Sequence, residues 1–227
     1  MQRKKLGVVA GMGPYAATFF LNRLLQFTPA KKEWEYFRIL ADYNVFIPSR
    51  TRALLYGETS PKYELIRTIS NLQKMGADFV AVPCNSGHGW YDEVAPSISV
   101  PWINLIEATS DAVKEQGIDS ALIISAYVPK KLKLYDKYIK TKYLNDEDQQ
   151  EVYKLIERLK LDENRLSIKY KLYNIVEKYD ADGIVIACTE PSMLFDSNEK
   201  SFGKFKLVDS TNEYAKKCVK LCMGKSI

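Results

Sequence analysis

Two stretches of the chain share one pattern, and that pattern decides the fold. Ala77–Cys84 reads ADFVAVPC and Ala181–Cys188 reads ADGIVIAC, so each has Ala-Asp, a short apolar run and a cysteine at the same offset. A short, continuous apolar run is typical of a strand that is buried on both faces of a parallel sheet. The repeat therefore predicts two similar halves, each with a buried strand that ends at a cysteine.

Further apolar runs and helical segments surround these two stretches. Because strands that alternate with helices indicate parallel sheets, we expect an α/β fold of two domains. The domains would be related by a pseudo-two-fold axis, with an active-site cleft between them. Strands are predicted at Leu6–Ala10, Phe37–Ala41, Phe79–Val82, Trp102–Leu105, Ala121–Ile124, Ile184–Ile186 and Lys206–Val208.

The domain boundaries follow from the repeat. We assign residues 1–101 plus 206–227 to the first α/β domain and residues 102–205 to the second. In this division the C-terminal helix packs back on the first half of the chain.

Composition and charge narrow the classes of function. The net charge is +5 over 227 residues, and the basic residues are spread along the chain. The densest basic stretch, Lys130–Lys142, alternates with apolar residues, which is typical of a solvated helix face rather than a nucleic-acid surface. No apolar stretch approaches the ~20 residues of a membrane span, and Leu6–Ala10 is too short for a signal peptide. We expect a cytoplasmic protein that binds neither nucleic acid nor membrane.

The four cysteines fall into two pairs. Cys218 and Cys222 lie four positions apart on an apolar helix face and are predicted to be core residues. Cys84 and Cys188 end equivalent strands, at the edge where parallel sheets bind ligands, and polar residues follow both. Four scattered cysteines in a chain of this length predict free thiols rather than a disulfide framework.

Two thiols that face one cleft from opposite sides suit racemisation at a carbon next to a carboxylate. A thiolate on one face can remove the proton while a thiol on the other face delivers one. Repulsion between two thiolates would help to keep one of them protonated. The alternative is that both cysteines are buried packing residues, as free cysteines often are.

Four motifs carry a resemblance to a known family. Pro83–His88 (PCNSGH) is similar to Pro-Cys-Asn-Thr-Ala-His, and Ala187–Glu190 (ACTE) is similar to Gly-Cys-Thr-Glu. Gly11–Pro14 (GMGP) matches an opening loop, and Ile47–Thr51 (IPSRT) resembles Ile-Pro-Asp-Arg-Thr. Together they resemble the aspartate/glutamate racemase family, in its aspartate racemase branch, over about Leu6 to Tyr214.

The resemblance implies two pseudo-symmetric α/β domains and a racemase that needs no pyridoxal phosphate, other cofactor or metal. Its substrate would be aspartate, or aspartate and glutamate, and its assembly a homodimer. Cys84 and Cys188 would form the acid–base pair, and Arg50 would bind a carboxylate with its planar fork. The other implied substrate contacts are Asn85, Ser86, Thr189, Met12 and a second cationic residue at Arg158, or Glu157 one position earlier.

The sequence departs from the family pattern in places that bear on the substrate. Ser86 and Gly87 replace Thr-Ala, Ala187 replaces a glycine, and Ser125–Pro129 differs from the usual loop, although Ser125 can supply a hydroxyl. Two further functions therefore stay open. One is an isomerase or decarboxylase of a small dicarboxylate, and the other is a non-catalytic protein that binds an acidic amino acid.

Three other features have competing interpretations. His88, the single histidine, either orients the first thiol or caps a helix. Zinc bound to Cys84, His88 and Cys188 would lack both a fourth ligand and the usual ligand spacing. Gly11–Ala16 fits a dinucleotide fingerprint formally, but a tight turn that lines the cleft explains its glycines equally well.

Overall fold

A computed structural model describes residues 3–161 and 164–224 of the chain. Strands and helices alternate along most of it, as the sequence predicts. The strands are β1 (Leu6–Ala10), β2 (Ile39–Tyr43), β3 (Phe79–Ala81), β4 (Ala121–Ser125), β5 (Thr141–Tyr143), β6 (Gly183–Ala187), β7 (Ser201–Phe202) and β8 (Phe205–Asp209). The helices are α1 (Pro14–Phe27), α2 (Arg50–Tyr56), α3 (Lys62–Lys74), α4 (Tyr91–Val94), α5 (Leu105–Glu115), α6 (Tyr127–Lys131), α7 (Asp146–Lys160), α8 (Arg165–Val176), α9 (Thr189–Ser192) and α10 (Ser210–Met223).

The strands form two sheets, one in each half. The first has the order β2-β1-β3 and is parallel, and the second has the order β5-β4-β6-β8-β7, in which only β7 runs antiparallel to its neighbour. Every residue of β1, β4 and β6 is buried, which explains their unbroken apolar sequences. The expectation of an α/β fold with parallel sheets is confirmed.

The repeated Ala-Asp has the same structural role in both halves. The carboxylate of Asp78 accepts the N–H of Lys5 at 2.8 Å, and that of Asp182 accepts the N–H of Ser120 at 2.9 Å. Lys5 and Ser120 each directly precede the first strand of a half. The two aspartates therefore fix the alignment of β3 on β1 and of β6 on β4.

The predicted boundaries of the two domains do not match the strands. Lys206–Val208 was assigned to the first domain, but β8 pairs with β6 in the second sheet. Helix α10, which follows β8, does pack against α1 and α5. Trp102 was assigned to the second domain, yet it forms a parallel bridge to Val80 in the first sheet.

Trp102–Leu105 does not form the predicted strand. Only the Trp102 bridge joins the sheet, because Asn104 caps α5 by accepting the N–H of Glu107 at 3.1 Å. The helix then begins at Leu105. The helix start that the Asn104 side chain stabilises therefore outweighs the tendency of the apolar residues within 102–105 to form a strand.

The stretch Lys130–Lys142 is not a solvated helix face. Helix α6 ends at Lys131, Lys133 adopts a left-handed conformation with φ of 49°, and β5 begins at Thr141. Tyr135 within it is fully buried. Burial of the aromatic and aliphatic side chains outweighs the helical spacing of this segment.

One apolar core is shared by the two halves. Phe20 of α1 stacks on Tyr214 of α10 with ring centroids 5.4 Å apart, and residues from β1, β4, β6 and β8 belong to the same cluster. Cys218 and Cys222 are buried in it, which confirms their prediction as core residues. Within residues 3–161 and 164–224, no helix is long and apolar enough to cross a membrane.

The turn after β1 gives a test of backbone packing. Gly11 has φ of 95°, and an added Cβ would lie 2.6 Å from backbone atoms of Asn44, whereas Gly57 has φ of 66° with open space around it. We expect Gly57→Ala to cost about 1 kcal/mol for left-handed strain alone. Gly11→Ala should cost a further 1–3 kcal/mol, roughly, because the backbone must move. Urea unfolding of both variants measures the difference, and equal losses would contradict the close approach.

Candidate active site

A cleft between the two halves brings most of the predicted site residues together. Its wall includes seven of the eight residues named from the sequence: Met12, Arg50, Cys84, Asn85, Ser86, Cys188 and Thr189. The two cysteines follow β3 and β6, and the polar residues after them begin the next turn or helix. The cleft therefore has contributions from the carboxyl edges of both sheets.

Cys84 lies at the start of a 3₁₀ helix and is partly exposed to the cleft. The 3₁₀ helix spans Asn85–Trp90, and its Gly87 N–H donates to Sγ of Cys84 at 3.3 Å. A backbone N–H that points at sulphur interacts more strongly with a thiolate than with a thiol, because the thiolate carries the negative charge. The surroundings of this cysteine therefore suit a base.

Cys188 has the opposite surroundings. Its Sγ donates to Oε2 of Glu190 at 3.1 Å, and Glu190 is itself buried. Removal of the sulphur from water, the negative charge of Glu190 and that of Cys84 together raise the pKa of Cys188 well above its ordinary value. Cys188 therefore stays a protonated thiol at neutral pH, which suits an acid.

Arg50 supplies positive charge from the first half. It is the first residue of α2, which Ser49 caps, and its Nη1 donates to the carbonyl oxygens of Ile47 and Pro48 at 3.3 and 3.0 Å. Its Nε is buried, and within the described chain it has no hydrogen-bond partner. The Arg50 side chain forms part of the cleft wall.

Lys160 supplies positive charge from the second half. Burial of its ammonium group opposes the charge, but a hydrogen bond to Glu157 at 2.6 Å and the negative charge of Glu190 outweigh burial and raise its pKa. Two cationic side chains thus line the cleft from opposite halves.

The family model for Asp/Glu/Hydantoin racemase matches residues 9–218 of the chain. The chain belongs to this family. A relative, the broad specificity amino-acid racemase RacX of Bacillus subtilis (strain 168), is 25% identical over 226 residues, 94% of this chain and 96% of the relative. The match to the family confirms the resemblance that the four motifs carry.

Solved structures of racemases share the fold. The aspartate racemase of Picrophilus torridus superposes with a TM-score of 0.86 at 22% identity, covering 99% of this chain and 96% of the other. The glutamate racemase of Thermus thermophilus, in complex with beta-chloro-D-alanine, superposes with a TM-score of 0.63 at 17% identity, covering 96% and 80%. The expected two-domain α/β fold is that of these racemases.

The eighth predicted residue of this racemase-family chain, Arg158, lies away from the cleft. Within the described chain, α7 lines the cleft with Tyr153, Ile156 and Lys160, which recur every three or four positions on one helix face. Arg158 falls on another side of α7 and has contacts of its own. The cationic side chain that α7 contributes to the cleft wall is therefore Lys160. Glu157, the other residue predicted for this position, forms an ion pair with Lys160.

Helical periodicity could have identified Lys160 from the sequence. Arg158 was predicted by its distance from the second cysteine, which does not test which side chains share a face with the apolar Ile156. Tyr153, which lines the cleft, was missed for the same reason; its ring centroid lies 4.7 Å from that of Tyr127. From the sequence, Glu190 either tunes the second thiol or caps a helix; its hydrogen bond from Cys188 favours the first interpretation.

The remaining polar residues fix the shape of the cleft. Thr189 crosses from the second half to the first, where its Oγ1 donates to the carbonyl of Pro83 at 3.0 Å. The hydroxyl of Ser125 is buried and donates to the carbonyl of Ala126, so Ala126 rather than Ser125 faces the cleft. In the described residues, no group of three His, Cys, Asp or Glu side chains could hold a metal.

His88 connects the first cysteine to α5. Its Nε2 accepts the N–H of Leu105 at 3.1 Å, so Nδ1 carries the proton and donates to the carbonyl of Cys84 at 3.0 Å. Burial lowers the pKa of His88 to about 4, which keeps the ring neutral. The ring thus caps the helix and holds the backbone of Cys84, without a hydrogen bond to its thiol.

The buried neutral His88 predicts a loss of stability in acid. Its pKa rises from about 4 when folded to 6.5 when unfolded, so unfolding takes up a proton and stability falls as pH drops through this range. Between pH 7 and pH 5 this loss is about 2 kcal/mol. His88→Asn should remove it, which urea unfolding at both pH values measures.

Asp209 acts in the opposite direction but does not disturb the comparison. Burial raises its pKa to about 6, which gives the folded protein a proton that the unfolded chain lacks. Its contribution therefore stabilises the fold as pH drops, equally in the wild type and in His88→Asn. A difference between the two proteins that is unchanged from pH 7 to pH 5 would contradict the role of His88.

Proposed function

We propose that this protein is an amino-acid racemase that interconverts L- and D-aspartate, or aspartate and glutamate, without pyridoxal phosphate. Cys84 and Cys188 act as its two acid–base groups. The observation that carries this proposal is that the two thiols, each at the end of an equivalent strand from one half, line the same cleft. Membership of a racemase family supports it.

The two thiols divide the reaction between the faces of the substrate. In one direction the thiolate of Cys84 removes the α-proton, and the electron pair is held next to the substrate carboxylate. The thiol of Cys188 then delivers its proton to the opposite face, which inverts the carbon. The reverse direction uses Cys188 as the base and Cys84 as the acid. The raised pKa of Cys188 supports its role as the acid in the resting protein.

The charges in the cleft support an acidic substrate. Arg50 and Lys160 line the cleft from different halves, so each can bind a carboxylate of a substrate such as aspartate. Glu157, which pairs with Lys160, and Glu190 offset part of this positive charge. Asn85, Ser86 and Thr189 surround the thiols and would bind the α-carboxylate or the amine, with Met12 as an apolar wall. The relative RacX is named a broad specificity amino-acid racemase, so the side chain that the substrate of this protein carries is tested by experiment.

The proposal includes the cellular setting. We infer a cytoplasmic protein, because all four cysteines are free thiols and such thiols persist in a reducing compartment. A homodimer is inferred from the resemblance to the family.

The first test follows the α-proton. The protein is incubated with single enantiomers of aspartate and glutamate in deuterated water without pyridoxal phosphate. Loss of optical activity together with deuterium at the α-carbon is expected. Binding without exchange would favour a binding protein instead, and conversion to a different acid would favour an isomerase or decarboxylase.

Each thiol is tested by its own substitution. Cys84→Ser and Cys188→Ser should each lower kcat for racemisation by about 10²–10⁴-fold, because a serine hydroxyl is a far weaker base than a thiolate. Cys222→Ala, in the core, is the matched control and should keep kcat within about twofold once folding is confirmed. Normal racemisation by either serine variant would rule out the two-base assignment.

The contact between Glu190 and Cys188 predicts the pH at which this thiol reacts. Glu190→Gln removes the negative charge beside Sγ, so the pKa of Cys188 should fall and its thiolate should form at lower pH. In a Cys84→Ser background, adding Glu190→Gln should make iodoacetamide labelling of Cys188 at pH 8 about tenfold faster. Mass spectrometry measures the labelling of Cys188. Cys218 and Cys222 are buried and should react little. An unchanged rate would mean that Glu190 does not control the thiol.

A further inference from the structure

Tyr135 is a buried phenol in a segment that forms neither helix nor strand. It lies in the turns between α6 and β5, in the second half of the chain, and is 0% exposed. A tyrosine that is buried this completely needs a partner for its hydroxyl. Its partner is a residue that lines the cleft.

That partner is Asn85, next to the first cysteine. The Tyr135 hydroxyl donates to Oδ1 of Asn85 at 2.5 Å, and the amide Nδ2 of Asn85 donates to Oγ of Ser210 at 3.0 Å. Tyr135 comes from the second half, Asn85 from the first, and Ser210 from the start of α10. The amide is therefore held at both ends by groups from different parts of the fold.

In the arrangement that the structure has, these two hydrogen bonds leave one group of the Asn85 amide for the cleft. Burial raises the pKa of Tyr135 above its ordinary value, so the phenol keeps its proton and is available as a donor. With the amide oxygen used by Tyr135 and one N–H used by Ser210, the second N–H of Nδ2 is the group left for the cleft that Asn85 lines. An amide turned by 180° would instead present its oxygen, which repels a carboxylate.

We propose that Tyr135 is a positioning residue that fixes the Asn85 amide so that its free N–H faces a carboxylate of the bound substrate. Tyr135 itself lies behind Asn85 and does not line the cleft. This assignment rests on the proposed function only for the nature of the ligand, an acidic amino acid. It gives a binding role to a part of the second half that is far in sequence from either cysteine.

The inference is tested with two ligands and one matched control. Aspartate reports KM and kcat, and succinate, which has both carboxylates but no amine, reports Kd by calorimetry. Tyr135→Phe should raise KM and the Kd of succinate about tenfold while kcat stays within about threefold, because a hydrogen bond to a charged group is weakened. Tyr143→Phe is the control, since its hydroxyl bonds the exposed Asp136, and both constants should be unchanged.

A double-variant cycle separates positioning from general destabilisation. Since Tyr135 acts through Asn85, adding Tyr135→Phe to Asn85→Ala should produce no further rise in the Kd of succinate. Independent, multiplying effects would overturn the proposal, as would Tyr135→Phe with wild-type KM and Kd. If Tyr135→Phe does not fold, Ser210→Ala tests the proposal instead, because it removes the other hydrogen-bond partner of the Asn85 amide. This variant should also weaken succinate binding, and unchanged binding overturns the proposal.

Failure of this inference is distinguishable from failure of the proposed function. If the wild-type protein binds succinate but does not racemise aspartate, the proposed racemase function is refuted. If the effects of Tyr135→Phe and Asn85→Ala on succinate binding are then non-additive, the role of Tyr135 is still supported. A wild-type racemase whose Tyr135→Phe variant is unaltered refutes only the role of Tyr135. A wild-type protein that does not bind succinate overturns the carboxylate contact itself.

Discussion

One hydrogen bond, made once in each half, determines where the two thiols lie. Asp78 and Asp182 accept the backbone N–H of the residue that precedes the first strand of their half. A strand displaced by one residue would turn every side chain to the other face of the sheet. Because both aspartates fix the same alignment, Cys84 and Cys188 lie at the same offset from the starts of β3 and β6, and both line the cleft between the halves.

The sequence was sufficient wherever burial is complete and local. Strand β1 has the predicted bounds, β4 extends beyond its prediction by one residue at its end, and β6 by one residue at each end, because each contains an unbroken apolar run. Both cysteine motifs line the cleft, because each comes shortly after a strand that the apolar pattern predicts. The position of Arg50 depended on the family resemblance, because no local pattern distinguishes it from a surface arginine.

The rest depends on contacts between residues far apart in sequence. Whether β8 joins the first or second sheet is decided by its pairing with β6, which no spacing in the chain reveals. The Lys130–Lys142 segment has helical spacing, but Tyr135 is held by Asn85 across the two halves.

The unequal surroundings of Cys84 and Cys188 have a kinetic consequence. In the proposed reaction each turnover leaves Cys84 as the thiol and Cys188 as the thiolate. Before the free protein accepts the same enantiomer again, Cys84 must lose a proton and Cys188 must gain one, through solvent. This proton exchange is a step without substrate, and raising the substrate concentration does not accelerate it. The carboxylate of Glu190, which favours the thiol at Cys188, therefore also favours the return of the empty protein to the state that accepts this enantiomer.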